Sequence, residues 1–133
     1  MVDIDWATIA LIDGNELYFL ALSSTIGSAW QLDERIPLEG TAAELVYRER
    51  QAVYEADLKR HYRFWTGEHH LQQGIRSIVY LPLIVTDRNI GSLMLASRQP
   101  NAYSDRQIRL LEKVALQIAA PVENARLLSL IHI

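Results

Sequence analysis

Residues Gly74–Ser97 read GIRSIVYLPLIVTDRNIGSLMLAS. Two apolar runs, Ile78–Val85 and Ile90–Ala96, flank the turn-forming residues Thr86-Asp87-Arg88-Asn89. Each run is rich in Val, Ile and Leu, and each has the length of a buried strand rather than of a helix. The stretch is therefore expected to be a β-hairpin at the middle of a sheet, with the other elements packed around it.

Upstream, Asp5–Ile12 and Glu16–Ser23 are strand candidates joined by Asp13-Gly14-Asn15, a sequence suited to a tight hairpin turn. Neither alternates cleanly, so both faces of this first hairpin are expected to be covered. Ser24–Ala29 is a small-residue loop, and Trp30–Pro37 an irregular edge segment, because Pro37 cannot donate to a central ladder. Thr41 and Glu44 form a capping box that opens a helix over Ala42–Arg50, with Ala42, Leu45 and Val46 on one face. A short strand follows at Ala52–Ala56. Leu58–Gln73 is read as irregular or partly helical, with Gly67 breaking any continuous helix and Gly74 as a C-cap.

Downstream, Ser104 and Gln107 form a second capping box, and Asp105 complements the helix dipole. The helix Ser104–Leu128 carries Ile108, Leu111, Ala115, Ile118, Val122 and Ala125 at alternating spacings of three and four, while Leu110 and Val114 add a second stripe. Pro121 removes a backbone donor, and a kink is expected near Ala119–Pro121. Ser129–Ile133 is expected to fray or to pack against another chain.

The 133 residues fit one domain, half of them hydrophobic, with a net charge of −3. That balance provides no basic footprint for nucleic acid or an acidic membrane surface. No apolar run approaches the roughly 20 residues of a membrane span. The absence of cysteine excludes disulfides, thiolate catalysis and Cys-ligated zinc, and fits the cytoplasm.

The fold class is α+β: a central antiparallel sheet of five to six strands flanked by helices. The chain resembles a GAF domain along almost its whole length. Ser77–Val85 resembles the family's S-[IV]-x-x-x-P-L-x-[IV] pattern, and Ile90–Leu95 its IG-x-L-x-L. Tyr103-Ser104 resembles the Phe-Ser/Thr helix start, and Gln117–Ala125 the Q-I-A-x-A-I-E-N-A ending. DWATIALIDG, the approach from Ile36-Pro37 to Gly40 and the helix after it match the first half. The resemblance implies a three-layer, profilin- or PAS-like arrangement. It also implies a helix before the first strand that packs beside the last helix, and here only four residues precede Asp5. Residues Ile108, Leu111, Ala115, Ile118, Val122 and Ala125 are therefore expected to pair with a second copy of the chain.

The resemblance further implies a small-molecule pocket between the sheet and Leu58–Gln73, of unknown ligand or cofactor. The candidate residues are Tyr62, Trp65, His69, His70, Arg76, Tyr80 and Met94, with Phe64 nearby. The plainer reading, which we prefer, is that these aromatics plug the end of the sheet as core. His61, His69 and His70 lack a metal-ligand spacing, since adjacent residues project in different directions. The Asn-Lys, Phe, Asp-Glu signature of cyclic-nucleotide binders is not matched around Asn101–Asp105. Bilin-attaching and methionine-sulfoxide-reducing members depend on cysteine, so neither chemistry is open to this chain. Ser23, Ser24, Asp57 and the histidines form no nucleophile–base–orienter set. The expected role is a non-catalytic sensory or regulatory domain of a larger signalling protein, beside a kinase or other output domain. The alternative is a ligand-free dimerisation module.

Overall fold

The computed structural model describes residues 3–24 and 30–131, without the side chains at 24 and 129–131. The expected loop around Gly27 lies outside the described residues. Six strands form one antiparallel sheet: β1 (Trp6–Asp13), β2 (Glu16–Ser24), β3 (Arg35–Pro37), β4 (Val53–Glu55), β5 (Ser77–Val85) and β6 (Arg88–Ser97). Their spatial order is β3-β2-β1-β6-β5-β4. The central hairpin pairs from Ser77↔Ser97 to Val85↔Arg88, and β6 passes the sheet on to β1 from Trp6↔Ala96 to Leu11↔Gly91.

The turn of the central hairpin is shorter than the sequence suggests. Only Thr86 and Asp87 lie between the strands, both with positive φ (46° and 67°). Two left-handed residues match the twist of the flanking strands, though a β-branched residue takes that conformation reluctantly. Arg50 holds the turn from outside, its guanidinium donating to the Asp87 carboxylate at 3.1 Å and to the Asp87 carbonyl. Gly91 is obligatory: a Cβ there would lie 2.1 Å from the Ala10 carbonyl oxygen.

Both sheet faces carry a hydrophobic cluster, which explains why β5 and β6 read as continuous apolar runs. Helices α1 (Ala42–Glu49) and α2 (Gly67–Gln72) cover one face, against Trp6, Phe19, Ile78, Tyr80, Met94 and Ala96. Helix α3 (Asp105–Ile131) lies on the other, where Leu111, Ala115, Ala119 and Val122 meet Val79, Leu81, Leu83, Leu93 and Leu95.

Both predicted capping boxes are present, with one change. Thr41 Oγ1 accepts the Glu44 N–H at 3.2 Å, but Glu44 Oε1 accepts from Gly40 N–H rather than from Thr41. At α3 the exchange is reciprocal: Ser104 Oγ accepts the Gln107 N–H at 3.1 Å, and Gln107 Oε1 accepts the Ser104 N–H at 2.8 Å. Helix α1 ends one residue earlier than expected, with Arg50 as a left-handed cap donating to the Val46 carbonyl. Asn89 Nδ2 donates to that same carbonyl at 3.3 Å, tying α1 to β6.

Leu58–Gln73 is irregular up to Thr66 and helical from Gly67, where a Cβ would fall 2.6 Å from the Tyr62 ring. Three expectations are corrected. Helix α3 does not end at Leu128 but runs to Ile131; it continues past Pro121 as expected, the missing N–H removing one intrahelical bond without stopping the helix. The seam assigned to a second chain faces the domain's own sheet. Leu111, Ala115 and Val122 are buried there, Ile108 and Ile118 are half-buried, and only Ala125 is exposed. Finally, the first hairpin is not covered on both sides. On the α3 side Ala7, Ile9 and Leu20 are only half-buried, and an open depression of about 180 Å³ lies over Ala7, Ile9, Ala21, Ser23 and Leu93.

Candidate functional site

The α1–α2 face is closed by an aromatic cluster centred on Trp30. Its indole stacks on Phe19 at 5.9 Å and meets Trp65 edge-on at 6.0 Å. His69 lies 5.2 Å from Trp30 and 5.7 Å from Trp65, and His70 lies 5.2 Å from Trp6. Trp65 Nε1 donates to the Glu39 carbonyl at 3.0 Å, anchoring the segment before α2 to the start of α1. Beneath this plug Thr66, His70, Tyr80 and Met94 line a cavity of about 10 Å³, with Leu17, Phe19, Ile36 and Ala42 completing its wall. That is room for one water molecule and no more.

The cavity is polar on one side. His70 is 2% exposed, and burial, reinforced by the charge of His69, pushes its imidazole down to about 4. It is therefore neutral at physiological pH. Tyr80 Oη is buried beside the Thr66 side chain and makes no well-formed hydrogen bond among the described residues. Burial first, then the nearby Glu55 charge, raises the Tyr80 phenol well above its usual range. Such a group donates or accepts a hydrogen bond but does not ionise.

The expected site residues separate into three groups. His70, Tyr80 and Met94 share the cavity. Trp65 and His69 form its outer plug, each with an exposed edge. Tyr62 and Arg76 lie outside. The Tyr62 ring packs under Gly67 and is otherwise exposed. Arg76 is committed to Asp57, with Nε 2.9 Å and Nη2 3.0 Å from the two carboxylate oxygens. That guanidinium holds the Asp57 carboxyl below its usual range. Sequence reasoning missed Trp30, Phe19 and Trp6, which supply most of the plug. The available signal was their size, since buried tryptophans dominate whichever cluster they enter. Among the described residues no group of three His, Asp or Glu converges as a metal site.

A six-stranded sheet with order β3-β2-β1-β6-β5-β4, the aromatic-plugged segment on one face and a long terminal helix on the other can be set beside known proteins. The family profile described as GAF domain matches residues 1–123. The chain belongs to the GAF domain family. Among solved structures, the GAF domain of a two-component sensor histidine kinase from Bacillus halodurans superposes with a TM-score of 0.82 at 18% identity, covering 97% of this chain and 88% of that one. A putative two-component sensor histidine kinase domain from Sinorhizobium meliloti gives 0.69 at 19% identity, over 98% and 86% of the two chains. A type II free methionine-R-sulfoxide reductase from Thermoplasma acidophilum gives 0.75 at 19% identity, over 92% and 80%. No curated protein matches the chain in sequence. At these identities the structural likenesses establish the GAF fold, in which a signalling domain and an enzyme sit side by side.

No described helix of this GAF domain is long and apolar enough to cross a membrane.

Proposed function

We propose that this GAF domain is a non-catalytic regulatory module of a larger, cytoplasmic signal-transduction protein, with an adjacent kinase or other output domain, and that its signal leaves through α3. The observation that carries the reading is α3 itself. It spans 27 residues, its inner face is anchored on β5 and β6, and its outer side carries exposed apolar residues among charged ones. Leu110, Val114, Pro121 and Leu128 form an exposed stripe at spacings of four, seven and seven, distinct from the buried seam. A helix held on one side and carrying an exposed apolar stripe on the other suits coupling to a second helix. We assign homodimerisation to this stripe. The absence of cysteine, together with the lack of a nucleophile–base set, supports a non-enzymatic role.

Small-molecule sensing at the α1–α2 face requires the Trp30–Trp65–His69 plug to open, because a cavity of about 10 Å³ holds no organic ligand. A ligand would shift the equilibrium toward the open plug by its differential affinity for that state. The filled cavity specifically favours the second reading, a ligand-free dimerisation module. Native mass spectrometry of protein purified from cells tests both. A co-purifying small molecule supports sensing, an empty dimer supports the scaffold, and a monomer at high concentration overturns the role given to α3.

A further inference from the structure

A second concavity lies at the outer edge of the sheet, where β4 ends. It encloses about 290 Å³ between Tyr54–Asp57, the turn carrying Arg60, His61 and Arg63, and Asn101 from the β6–α3 loop. Its size is at the lower end for small-molecule sites. The walls are fixed by backbone bonds. The N–H groups of Arg60 and His61 both donate to the Asp57 carbonyl at 3.2 Å, and Asn101 N–H donates to the Ala56 carbonyl at 2.7 Å. The Tyr54 hydroxyl accepts the Tyr103 N–H at 3.2 Å.

The charges here are unevenly matched. Asp57 is already neutralised by Arg76, in a bidentate pair. Arg60 and Arg63 have no carboxylate within 4.0 Å among the described residues, and the Arg63 guanidinium stands over the Phe64 ring at 5.1 Å. Positive charge is thus in local excess within a chain of net charge −3. Behind it sits Glu55, 6% exposed. Its Oε2 accepts the Arg63 N–H at 3.1 Å, while its buried Oε1 has no partner among the described residues. A buried acceptor without a donor is costly. Glu55 lines the cleft, and the terminal torsion of a glutamate is broad and roughly two-fold, so its two oxygens can exchange places.

We propose that this cleft binds a metabolite-sized oxyanion, a carboxylate or phosphate ester, that carries a hydroxyl or ammonium donor. Arg60 and Arg63 take the oxyanion through charge-assisted bonds, for which guanidinium geometry is suited. Glu55 Oε1 takes the donor. The site is separate from the aromatic-plugged cavity and does not depend on that plug opening.

The test is a titration of the 15N-labelled protein followed by amide chemical shifts, with inorganic phosphate, succinate and malate as probes. Malate differs from succinate by one hydroxyl donor. Saturable shifts confined to residues 54–63 and Asn101 are expected, with malate binding several-fold more tightly than succinate. R60Q and R63Q should each weaken malate binding by about tenfold, and R106Q on α3 should leave it unchanged. The phosphate and dicarboxylate arms tell which oxyanion is preferred. Dispersed spectra of the variants confirm folding. Absence of saturation, shifts scattered over other surface arginines, or unchanged binding in both R60Q and R63Q would overturn the site. Succinate binding as tightly as malate would overturn the role of Glu55.

Discussion

The two faces of this sheet are built from the same strands but finished differently. On the α1–α2 side, Trp6, Phe19, Trp30 and Tyr80 interlock with two short helices until only about 10 Å³ remains. On the α3 side a single helix covers β5 and part of β6, leaving Ala7, Ile9 and Leu20 of the first hairpin half-buried. The α1–α2 face is sealed by large aromatics from loops and helices. The α3 face has one long helix, and one helix about 10 Å across cannot roof six strands set roughly 5 Å apart. The difference separates internal stability from availability for a partner.

Several experiments sharpen that contrast. Trp6→Ala, on the sealed face, should destabilise the domain by about 3–5 kcal/mol in urea unfolding, the usual cost of emptying a large aromatic site. Ile9→Ala, on the open face, should cost well under half as much, since less of its side chain leaves water on folding. Equal losses would mean that the two faces are equally closed in solution.

Acid should act through the sealed face. Because burial holds the His70 imidazole at about 4 in the folded chain, against about 6.5 when exposed, the unfolded chain takes up the proton first. Stability is therefore full above about pH 6.5 and falls as pH drops toward 4, by an amount on the order of 3 kcal/mol. Glu55, whose carboxyl burial pushes up, works in the opposite sense at the acid end. Comparing wild type with His70→Gln isolates the histidine: the variant should lose most of the slope between pH 6.5 and 4.

A double change on the outer side of α3, Leu110→Gln with Leu128→Gln, should shift light-scattering mass toward the monomer. It should alter the unfolding midpoint of the isolated domain by no more than about 0.5 kcal/mol, as for exposed positions generally. Tyr80→Phe should also do little harm. Removing a buried hydroxyl that makes no well-formed hydrogen bond among the described residues should be neutral or stabilising by up to about 1 kcal/mol. A loss larger than that would show that the hydroxyl is satisfied in solution.

The parts of this architecture legible in the sequence are those set by local chemistry. The 77–97 hairpin, the Thr41 and Ser104 caps and the edge position of Pro37 each follow from residues within a few positions of one another. The partners of α3 were not legible in that way. A spacing of three and four marks an apolar side of a helix but does not say whether that side meets its own sheet or another chain. The site residues were half legible. His69 and His70 are neighbours in sequence, yet one is exposed and the other buried, because a helix sends adjacent side chains about 100° apart. Arg76 looked free to meet a ligand. Its partner Asp57 lies 19 residues earlier, a distance over which no local rule operates.

The sheet order also governs how the chain must assemble. Strand β1 lies at the centre, against β6, so the start of the domain closes on residues near its end. Ser97 Oγ donates to Asp3 Oδ2 across 94 positions of sequence, and Tyr103 Oη to the Asp3 carbonyl across 100. Loop closure on that scale precedes any reward from the contacts it makes, and non-local antiparallel sheets fold slowly for this reason. The two hairpins can form early and independently. Their docking along the β1–β6 seam is then the step expected to be slow, and Gly91, where a Cβ would meet the Ala10 carbonyl oxygen, sits on it. During synthesis the central hairpin would leave the ribosome with the β1 edge already waiting for it.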